Sequence, residues 1–261
     1  MSKRIIGATI ALACLFATMV QAQETAAQKP AEPGDKIQAT AENKTITIMD
    51  PGKDQAEDAD VIKVRDAIKE MLGGKTKAAL DPLTEVIEKY EAKYGHSDDL
   101  YFSARGTTDG LLYAMLDPAK GGKRKVIVLG PAWAMAYWGR GYIYGEMNQF
   151  DDEIRELKKA LALAPMDAQY QSELGFAYGQ KRDFKASLEA YESAVGFAEF
   201  DADPEHVKHL QCVAYRGQGF ALVELRRFDE AEKAYKACLK ITPNEPKSLG
   251  ELEYIKQQRA R

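Results

Sequence analysis

The sequence repeats itself at a spacing of 34 residues between residues 134 and 201. A shift by this spacing superimposes Gly141 on Gly175, Tyr144 on Tyr178, Phe150 on Phe184, Leu157 on Tyr191 and Ala160 on Ala194. After about ten inserted residues, a third copy places Gly219, Phe228, Ala231, Tyr235, Cys238 and Pro243 at the corresponding positions. Such a period is typical of stacked helical hairpins, because one hairpin cannot bury its apolar face alone.

This spacing resembles that of the tetratricopeptide repeat, with units at 134–167, 168–201 and 212–245. The resemblance implies an all-α fold, a right-handed solenoid of helical hairpins with a capping helix over 246–261. It also implies that the recurring small residues lie where neighbouring helices approach closely. The sequence departs from the family pattern at Glu153, Gln171, Glu199 and Leu222.

The part before the repeats, residues 59–130, is interpreted as a less regular helical region. Apolar residues recur at three- and four-residue steps over 60–94, and Gly73-Gly74 interrupts them, which predicts one degenerate helical hairpin. Residues 95–130 match no repeat. Within them, Lys125–Leu129 fits either a buried strand or the start of a helix, and periodicity alone does not decide between the two.

The first 22 residues have the pattern of a secretory signal peptide. Lys3 and Arg4 precede an apolar run, and small residues allow cleavage after Ala22. We therefore expect an exported protein, in the periplasm of a bacterium, with a retained N-terminal anchor or a lipoprotein attached at Cys14 as alternatives. Cleavage is favoured over a retained anchor because the apolar run is shorter than a bilayer requires. No stable membrane insertion is expected after cleavage.

Residues 23–58 are predicted to be a flexible leader, because they contain too few apolar side chains to offset their ordering entropy. Only Thr45–Ile48 alternates with a period of two, which favours a short strand. The whole chain carries 36 Lys and Arg against 40 Asp and Glu. The chain therefore has no excess of positive charge that could neutralise the phosphate backbone of a nucleic acid. Nucleic acid is not an expected partner.

Motifs for nucleophilic, nucleotide or dinucleotide chemistry do not occur in the sequence, and no cofactor is expected. The one local group with metal-ligand side chains is His206, His209 and Cys212, and its spacing does not match the tight pairs of a zinc site. We therefore predict no metal site there and interpret this segment as an exposed polar helix start. Acids such as Asp151, Asp152 and Glu153 are interpreted as helix-capping residues.

The resemblance implies a concave face built from the first helix of each repeat. Matching to the family pattern places Met135, Trp138, Tyr142, Gln169, Ser172, Phe176, Val213, Arg216 and Phe220 on this groove. Such a strip of aromatic and polar side chains suits an extended peptide or a partner helix. The alternative is that the groove is covered and these residues form core. The carboxylate-clamp subtype of the family, with Lys and Asn at these places, is not expected.

Cys212 and Cys238 remain after signal cleavage, and antiparallel hairpin geometry would allow a disulfide between them in an oxidising compartment. The alternative is two buried free thiols that fill small-residue positions.

The expected function is that of a non-enzymatic interaction module or scaffold that binds a protein or peptide in the cell envelope. One alternative is an enzyme or cofactor-binding protein with a site near Ser103, Arg105, Thr107 and Asp109, although this stretch resembles a capped helix junction. Another is a structural protein that associates with itself through the groove.

Overall fold

The computed structural model describes residues 37–41, 44–48, 55–115 and 125–260. Side chains are described from residue 59 onward, except at 107, 108, 114 and 115. In chain order the elements are β1 Ile37–Ala41, β2 Lys44–Ile48, α1 Gln55–Leu72, α2 Thr76–Tyr94, β3 Leu100–Ser103, α3 Thr107–Met115, β4 Val126–Leu129, α4 Ala132–Glu146, α5 Phe150–Leu163, α6 Ala168–Gln180, α7 Phe184–Phe197, α8 Pro204–Glu224, α9 Phe228–Ile241 and α10 Pro246–Arg259. A short 3-10 helix, Ala198–Phe200, follows α7.

The chain divides into two compact units, each described here by itself. The N-terminal unit holds the residues up to 143 together with 162–165, and the C-terminal unit holds 144–161 and 166–261. The division therefore falls inside the first repeat. Among the residues that the structure describes, no helix is both long enough and apolar enough to cross a membrane.

The N-terminal unit contains a four-stranded sheet with strand order β1-β2-β4-β3. β1 pairs antiparallel with β2, and β4 pairs parallel with both β2 and β3. The chain passes from β3 through α3 to β4, which is the helical crossover that parallel strands require. α3 contacts both of these strands, and the rings of Phe102 and Tyr113 lie 5.8 Å apart.

This sheet corrects two of the sequence predictions. Strands β1 and β2 lie inside the leader 23–58, which was expected to be flexible, and β3 and β4 lie inside the region 59–130, which was expected to be helical. The ambiguous segment Lys125–Leu129 forms β4, and β2 covers the predicted short strand Thr45–Ile48. Each strand is only four or five residues long, and the pairing of β4 with β2 joins segments far apart in sequence, so little local signal exists. The signal peptide 1–22 and the leader residues 23–36 lie outside the described residues.

Helices α1 and α2 form the hairpin that the sequence predicted over 60–94. Their apolar stripes meet through Val64, Ile68, Leu83 and Ile87, none of which is exposed to solvent. Gly74 lies between the helices with φ 84°, a conformation that glycine adopts without strain. The chain can therefore reverse direction within a few residues.

An aromatic cluster joins α2, β3 and α4 within the N-terminal unit. The ring of Trp133 lies 5.6 Å from that of Tyr90, 6.0 Å from Tyr94 and 6.4 Å from Tyr101. Tyr137, on the next turn of α4, donates a hydrogen bond from its hydroxyl to Glu91 of α2. Trp133 therefore belongs to the core of this unit.

The C-terminal unit contains most of α5, the consecutive helical hairpins α6 with α7 and α8 with α9, and α10. From α6 onward each helix packs on the next one in sequence, and α6 also packs on α8. Aspartates begin three helices: the side chains of Asp167, Asp183 and Asp203 accept hydrogen bonds from backbone N–H groups of the first turn. The inserted residues after the second repeat extend α8, which begins at Pro204 rather than at Cys212.

The repeat is also visible in the backbone. Asn148, Arg182 and Arg226 all have positive φ, between 59° and 63°, at the turn that ends the first helix of each hairpin. At the C-terminal end, α10 packs on α9 and α8 and buries Ile255 against Leu222 and Tyr235. α10 thus covers the last apolar face of the hairpin stack, as a capping helix does.

Candidate functional site

Two neighbouring first helices, α6 and α8, form the candidate binding face of the C-terminal unit. Positions 169, 172 and 176 follow one another at steps of three and four residues along α6, and 213, 216 and 220 do so along α8. Such steps place each set on a single helical face. The structure brings the six predicted groove residues onto these two adjacent helices: Gln169, Ser172, Phe176, Val213, Arg216 and Phe220.

The exposed part of this face is aromatic. Phe220 is 38% exposed and Phe176 is half-buried, whereas Gln169, Ser172 and Val213 are buried. The ring of Phe220 packs edge-on against Phe184, with centroids 6.2 Å apart. The face therefore offers an apolar contact at the C-terminal ends of α6 and α8, while its other end is closed to solvent.

The three predicted groove residues of the first repeat lie in the N-terminal unit on α4. Met135 and Trp138 are buried, and Tyr142 is half-buried with its ring 5.9 Å from that of Trp138. Met135 and Trp138 therefore belong to the core, which was the alternative to an open groove at these positions.

Arg216 is engaged by the capping helix. Its Nη1 donates to Oε1 of Glu245 at 3.1 Å, and the Glu245 side chain also accepts from the backbone N–H groups of Lys247 and Ser248 at the start of α10. Burial alone would raise the pKa of Glu245, but the hydrogen bonds from Ser248 and the charge of Arg216 lower it below its usual value. The guanidinium of Arg216 is therefore held by a carboxylate of the chain itself.

Two glutamates, Glu153 on α5 and Glu173 on α6, are buried in the C-terminal unit, with 2% and 3% exposure. Burial, with the charge of Glu146 as the smaller cause, raises the pKa of Glu153 to about 8. Burial also raises the pKa of Glu173 well above its usual range, and the charges of Glu153 and Glu146 add to this effect. Glu153 lies in the first turn of α5, where the sequence predicted a helix-capping acid, but its carboxyl group is buried inside the unit.

Glycine makes room for the Glu153 carboxyl. A Cβ atom added at Gly145 would lie 2.7–2.8 Å from the carboxyl atoms of Glu153. The acids Asp151 and Asp152, by contrast, pair with Lys181 and Arg155 near the surface.

Tyr191 of α7 is packed between two glycines, Gly175 of α6 and Gly217 of α8. Burial raises the pKa of its hydroxyl, and the charges of Glu173 and Glu153 raise it further, while Arg216 lowers it.

The two cysteines of the third repeat, Cys212 on α8 and Cys238 on α9, form a disulfide with 4.3 Å between their α carbons. The sulfur of Cys212 is therefore not a thiolate ligand. His206 is buried, unlike the exposed helix start that the sequence predicted, and its Nδ1 lies 2.9 Å from a carboxylate oxygen of Asp201. His209 is exposed on the same helix.

The alternative site near residues 103–109 forms a junction between a strand and a helix. Ser103 ends β3 and is buried. Arg105 donates from Nε and from its backbone N–H to Asp109 in the first turn of α3, at 2.9 and 3.4 Å. Thr107 is the first residue of α3, and its side chain lies outside the described set. Arg105 and Asp109 thus pair with each other across the helix start.

Tetratricopeptide repeat family models match the sequence at residues 134–166 and at residues 212–245. These segments are tetratricopeptide repeats. They coincide with the first and third units of the 34-residue period, and the intervening hairpin of α6 and α7 has the same architecture. No curated protein has a sequence that matches this chain.

Several solved structures are similar to this chain at low sequence identity. The MamA RS-1 ArsTM double mutant is 14% identical, with 77% of this chain and 85% of that chain covered and a TM-score of 0.50. The first tetratricopeptide domain of Spaghetti (RPAP3), bound to an HSP90 peptide, is 23% identical over 49% of this chain and 94% of that one, with a TM-score of 0.44. The Sgt2 domain from Aspergillus fumigatus is 20% identical over 49% and 79%, with a TM-score of 0.42. The MamA likeness supports the helical repeat fold.

The burial of Glu153 and Glu173 was not predicted from the sequence. One signal for it was present: Glu153 stands where the repeat pattern has a small residue, and Gly145 precedes it by eight positions. A large acid at a small-residue position indicates burial, because the helices meet there. For Glu173 the only signal is its place on the same helix face as Gln169.

Proposed function

We propose that this chain is a non-enzymatic interaction module of the bacterial cell envelope that binds a peptide or a partner helix on the face of α6 and α8. The observation that carries the proposal is the pair of tetratricopeptide repeats at 134–166 and 212–245. Stacked hairpins of this kind build extended binding surfaces from their first helices. The exposed ring of Phe220 on such a helix supports contact with an apolar anchor of the partner.

Two further features support the export part of the proposal. The N-terminal pattern of basic residues, apolar run and small residues is that of a signal peptide. A disulfide between Cys212 and Cys238 is stable in an oxidising compartment and is rare in a reducing one.

The binding test is photo-crosslinking in intact cells of the source organism. The photoreactive analogue benzoylphenylalanine replaces Phe220 in one variant and Phe200 in a matched control. Phe200 is also an exposed phenylalanine, at 42%, but it lies on the short 3-10 helix. We expect a specific adduct at 220 that is missing at 200. No adduct at 220, or the same adducts at both positions, contradicts binding on this face, and an adduct of the chain with itself indicates self-association.

The location is tested separately by cell fractionation and N-terminal sequencing. We expect the protein in the periplasmic fraction with Gln23 as its first residue. Recovery from the cytoplasm with an intact N-terminus contradicts export but leaves the binding test unaffected.

A further inference from the structure

A surface patch of aromatic and cationic side chains lies where α6, α7 and α8 pack together. It consists of Arg182, Phe184 and Phe220 and is here called the arginine-aromatic patch. The ring of Phe220 lies 6.2 Å from that of Phe184, and the guanidinium carbon of Arg182 lies 5.9 Å from the centre of the same Phe184 ring. Arg182 and Phe220 are exposed, and Phe184 is half-buried. The three side chains therefore form one contiguous surface, of which the sequence predicted only Phe220.

The backbone holds this patch in place. Arg182 stands in the turn between α6 and α7 with φ 63°, and its backbone N–H donates to the carbonyl oxygen of Gly179 at 3.0 Å. Gly179 also leaves space for Phe220, because a Cβ atom added there would lie 3.8 Å from the ring. The guanidinium lies over the ring of Phe184 in a cation–π contact, which restricts its orientation. A partner therefore meets groups that are already positioned, which lowers the entropic cost of binding.

The charge of Arg182 is not neutralised by the chain itself. Asp183, the next residue, accepts a hydrogen bond from the N–H of Ala186 at the start of α7, and Asp151 pairs with Lys181. Among the described side chains, no carboxylate forms an ion pair with Arg182. An exposed guanidinium of this kind is complemented by a carboxylate, which it can bind through two parallel hydrogen bonds.

The other exposed charges around the rings leave the patch net positive. Glu224 and Arg226, both exposed at the end of α8, carry opposite charges and balance each other. Lys185 adds an exposed positive charge in the first turn of α7. Charge complementarity therefore favours an acidic partner over a basic one.

We propose that the arginine-aromatic patch binds an acidic segment of the partner, with an apolar side chain on the rings of Phe220 and Phe184 and a carboxylate on Arg182. This inference rests on the proposed function, because it names the partner chemistry for the same face. Aromatic rings supply the contact area for an apolar anchor, and the guanidinium supplies selectivity for the acid.

The distances within the patch set the spacing of the two partner residues. Arg182 and Phe220 each lie about 6 Å from the ring centre of Phe184. An extended segment advances about 3.3 Å per residue, so the apolar residue and the acid are expected within about four positions of each other.

The first test selects peptides from a random dodecapeptide library displayed on phage. The full chain is the bait, and Phe220→Ala is used in a parallel selection after circular dichroism has shown that it is folded. We expect the peptides that only the native chain enriches to carry an apolar residue with Asp or Glu within about four positions. Enriched peptides dominated by Lys and Arg overturn the proposal, as does the lack of any peptide that depends on Phe220.

A charge reversal tests Arg182 directly. The most strongly enriched peptide, and a copy with Lys in place of its acidic residue, are titrated with the full chain by fluorescence anisotropy. The native chain is expected to bind the acidic peptide on the order of tenfold more tightly than the copy, and Arg182→Glu is expected to reverse this order. Lys240→Glu, which reverses an exposed charge in the last turn of α9, is the matched control and should keep the native order.

Reversal of the order separates a charge contact from a structural defect, since a defect weakens both peptides alike. If Arg182→Glu does not fold, Arg182→Gln takes its place and is expected to bind the two peptides equally. An unchanged preference for the acidic peptide in a folded variant of Arg182 overturns the proposal.

The photo-crosslinking experiment at position 220 distinguishes this inference from the proposed function. Mass spectrometry of the adduct locates the crosslinked segment of the partner. A segment with no Asp or Glu within about four residues of the crosslink overturns the acidic partner and leaves binding on this face intact. No adduct at 220 contradicts the proposed function, whereas the peptide selection still decides what chemistry the patch recognises.

Discussion

Two glycines set how closely α6 and α8 approach the ring of Tyr191. A Cβ atom at Gly217 would lie 2.1 Å from the ring, and one at Gly175 would lie 2.9 Å from it. Both distances are well inside van der Waals contact, so any larger residue must push the helices apart. Gly219 has the same relation to Tyr235, at 2.7 Å. The resemblance to the repeat family implied this role for Gly175 and Gly219 but not for Gly217.

Gly217→Ala is therefore expected to lower the free energy of unfolding by about 1–3 kcal/mol, because the new methyl group overlaps a buried ring. The measurement is urea denaturation followed by circular dichroism. Gly196→Ala is the matched control: Gly196 lies in α7, and a Cβ there meets no atom within 4 Å. The control is expected to be neutral or stabilising by about 0.5–1 kcal/mol. Equal midpoints for the two variants would argue against close packing at Tyr191.

At the scale of elements, α10 is held at its first turn by Glu245. This side chain accepts from two backbone N–H groups of α10 and from Arg216 of α8, so it both caps one helix and ties it to another. Its pKa lies below the usual value near 4.5 in the folded chain. A lowered folded pKa means that the stabilisation is present above the unfolded pKa and is lost as the pH falls through the folded pKa.

Glu245→Gln is expected to reduce the free energy of unfolding by about 1 kcal/mol at pH 7, the usual effect of a lost cap. At pH 3 the difference from the native chain should shrink, because the native carboxyl is then becoming protonated too. Urea titrations at both values measure this. Glu253→Gln, on an exposed acid of the same helix, should change little at either pH. A difference at pH 3 as large as that at pH 7 would count against the cap.

The disulfide joins two further elements, α8 and α9, across 26 residues of sequence. Closing a loop of this length restricts the unfolded chain and is expected to contribute about 3 kcal/mol. The double variant Cys212→Ala/Cys238→Ala should therefore unfold at a lower urea concentration than the native chain. A reducing agent should lower the urea midpoint of the native chain and leave that of the double variant unchanged. If the reducing agent changes neither midpoint and the cysteines of the native chain titrate as free thiols, the disulfide is not formed.

At the scale of the whole molecule, the sheet depends on segments far apart in the sequence. β4 lies between β2 and β3, so it loses one set of hydrogen bonds when the segment that carries β1 and β2 is removed. The unpaired edge would then consist of Val126, Ile127 and Val128. An exposed apolar edge strand is a template for association with other chains.

Deletion of residues 1–54 is expected to lower the unfolding temperature and to produce aggregates visible by light scattering. Deletion of residues 1–36 is the control, because it keeps both strands. This control should be as stable as the chain that lacks only residues 1–22. If the chain 55–261 is monomeric and as stable as the control, β2 contributes little to the N-terminal unit.

The sequence predicted the helical hairpins well, and it predicted the sheet poorly. Periodicity is a local property, so α1, α2 and the helices of the repeats could be placed from spacing alone. Strands of four or five residues carry little such signal, and their hydrogen bonds come from partners up to about 80 residues away along the chain. The one strand indicated by alternation, Thr45–Ile48, lies in a segment whose composition suggested a flexible leader.

The sequence by itself determined which residues lie on each helix face, because helical geometry and the 34-residue period fix them. Only the tertiary structure decided which of those faces is closed. Trp138, Gln169 and Ser172 occupy groove positions by spacing and are buried, whereas Phe220 is exposed. The tertiary structure also decided that Glu153 and Glu173 are buried. Burial depends on what the rest of the chain packs against each face, and this information is not contained in the spacing of residues along one helix.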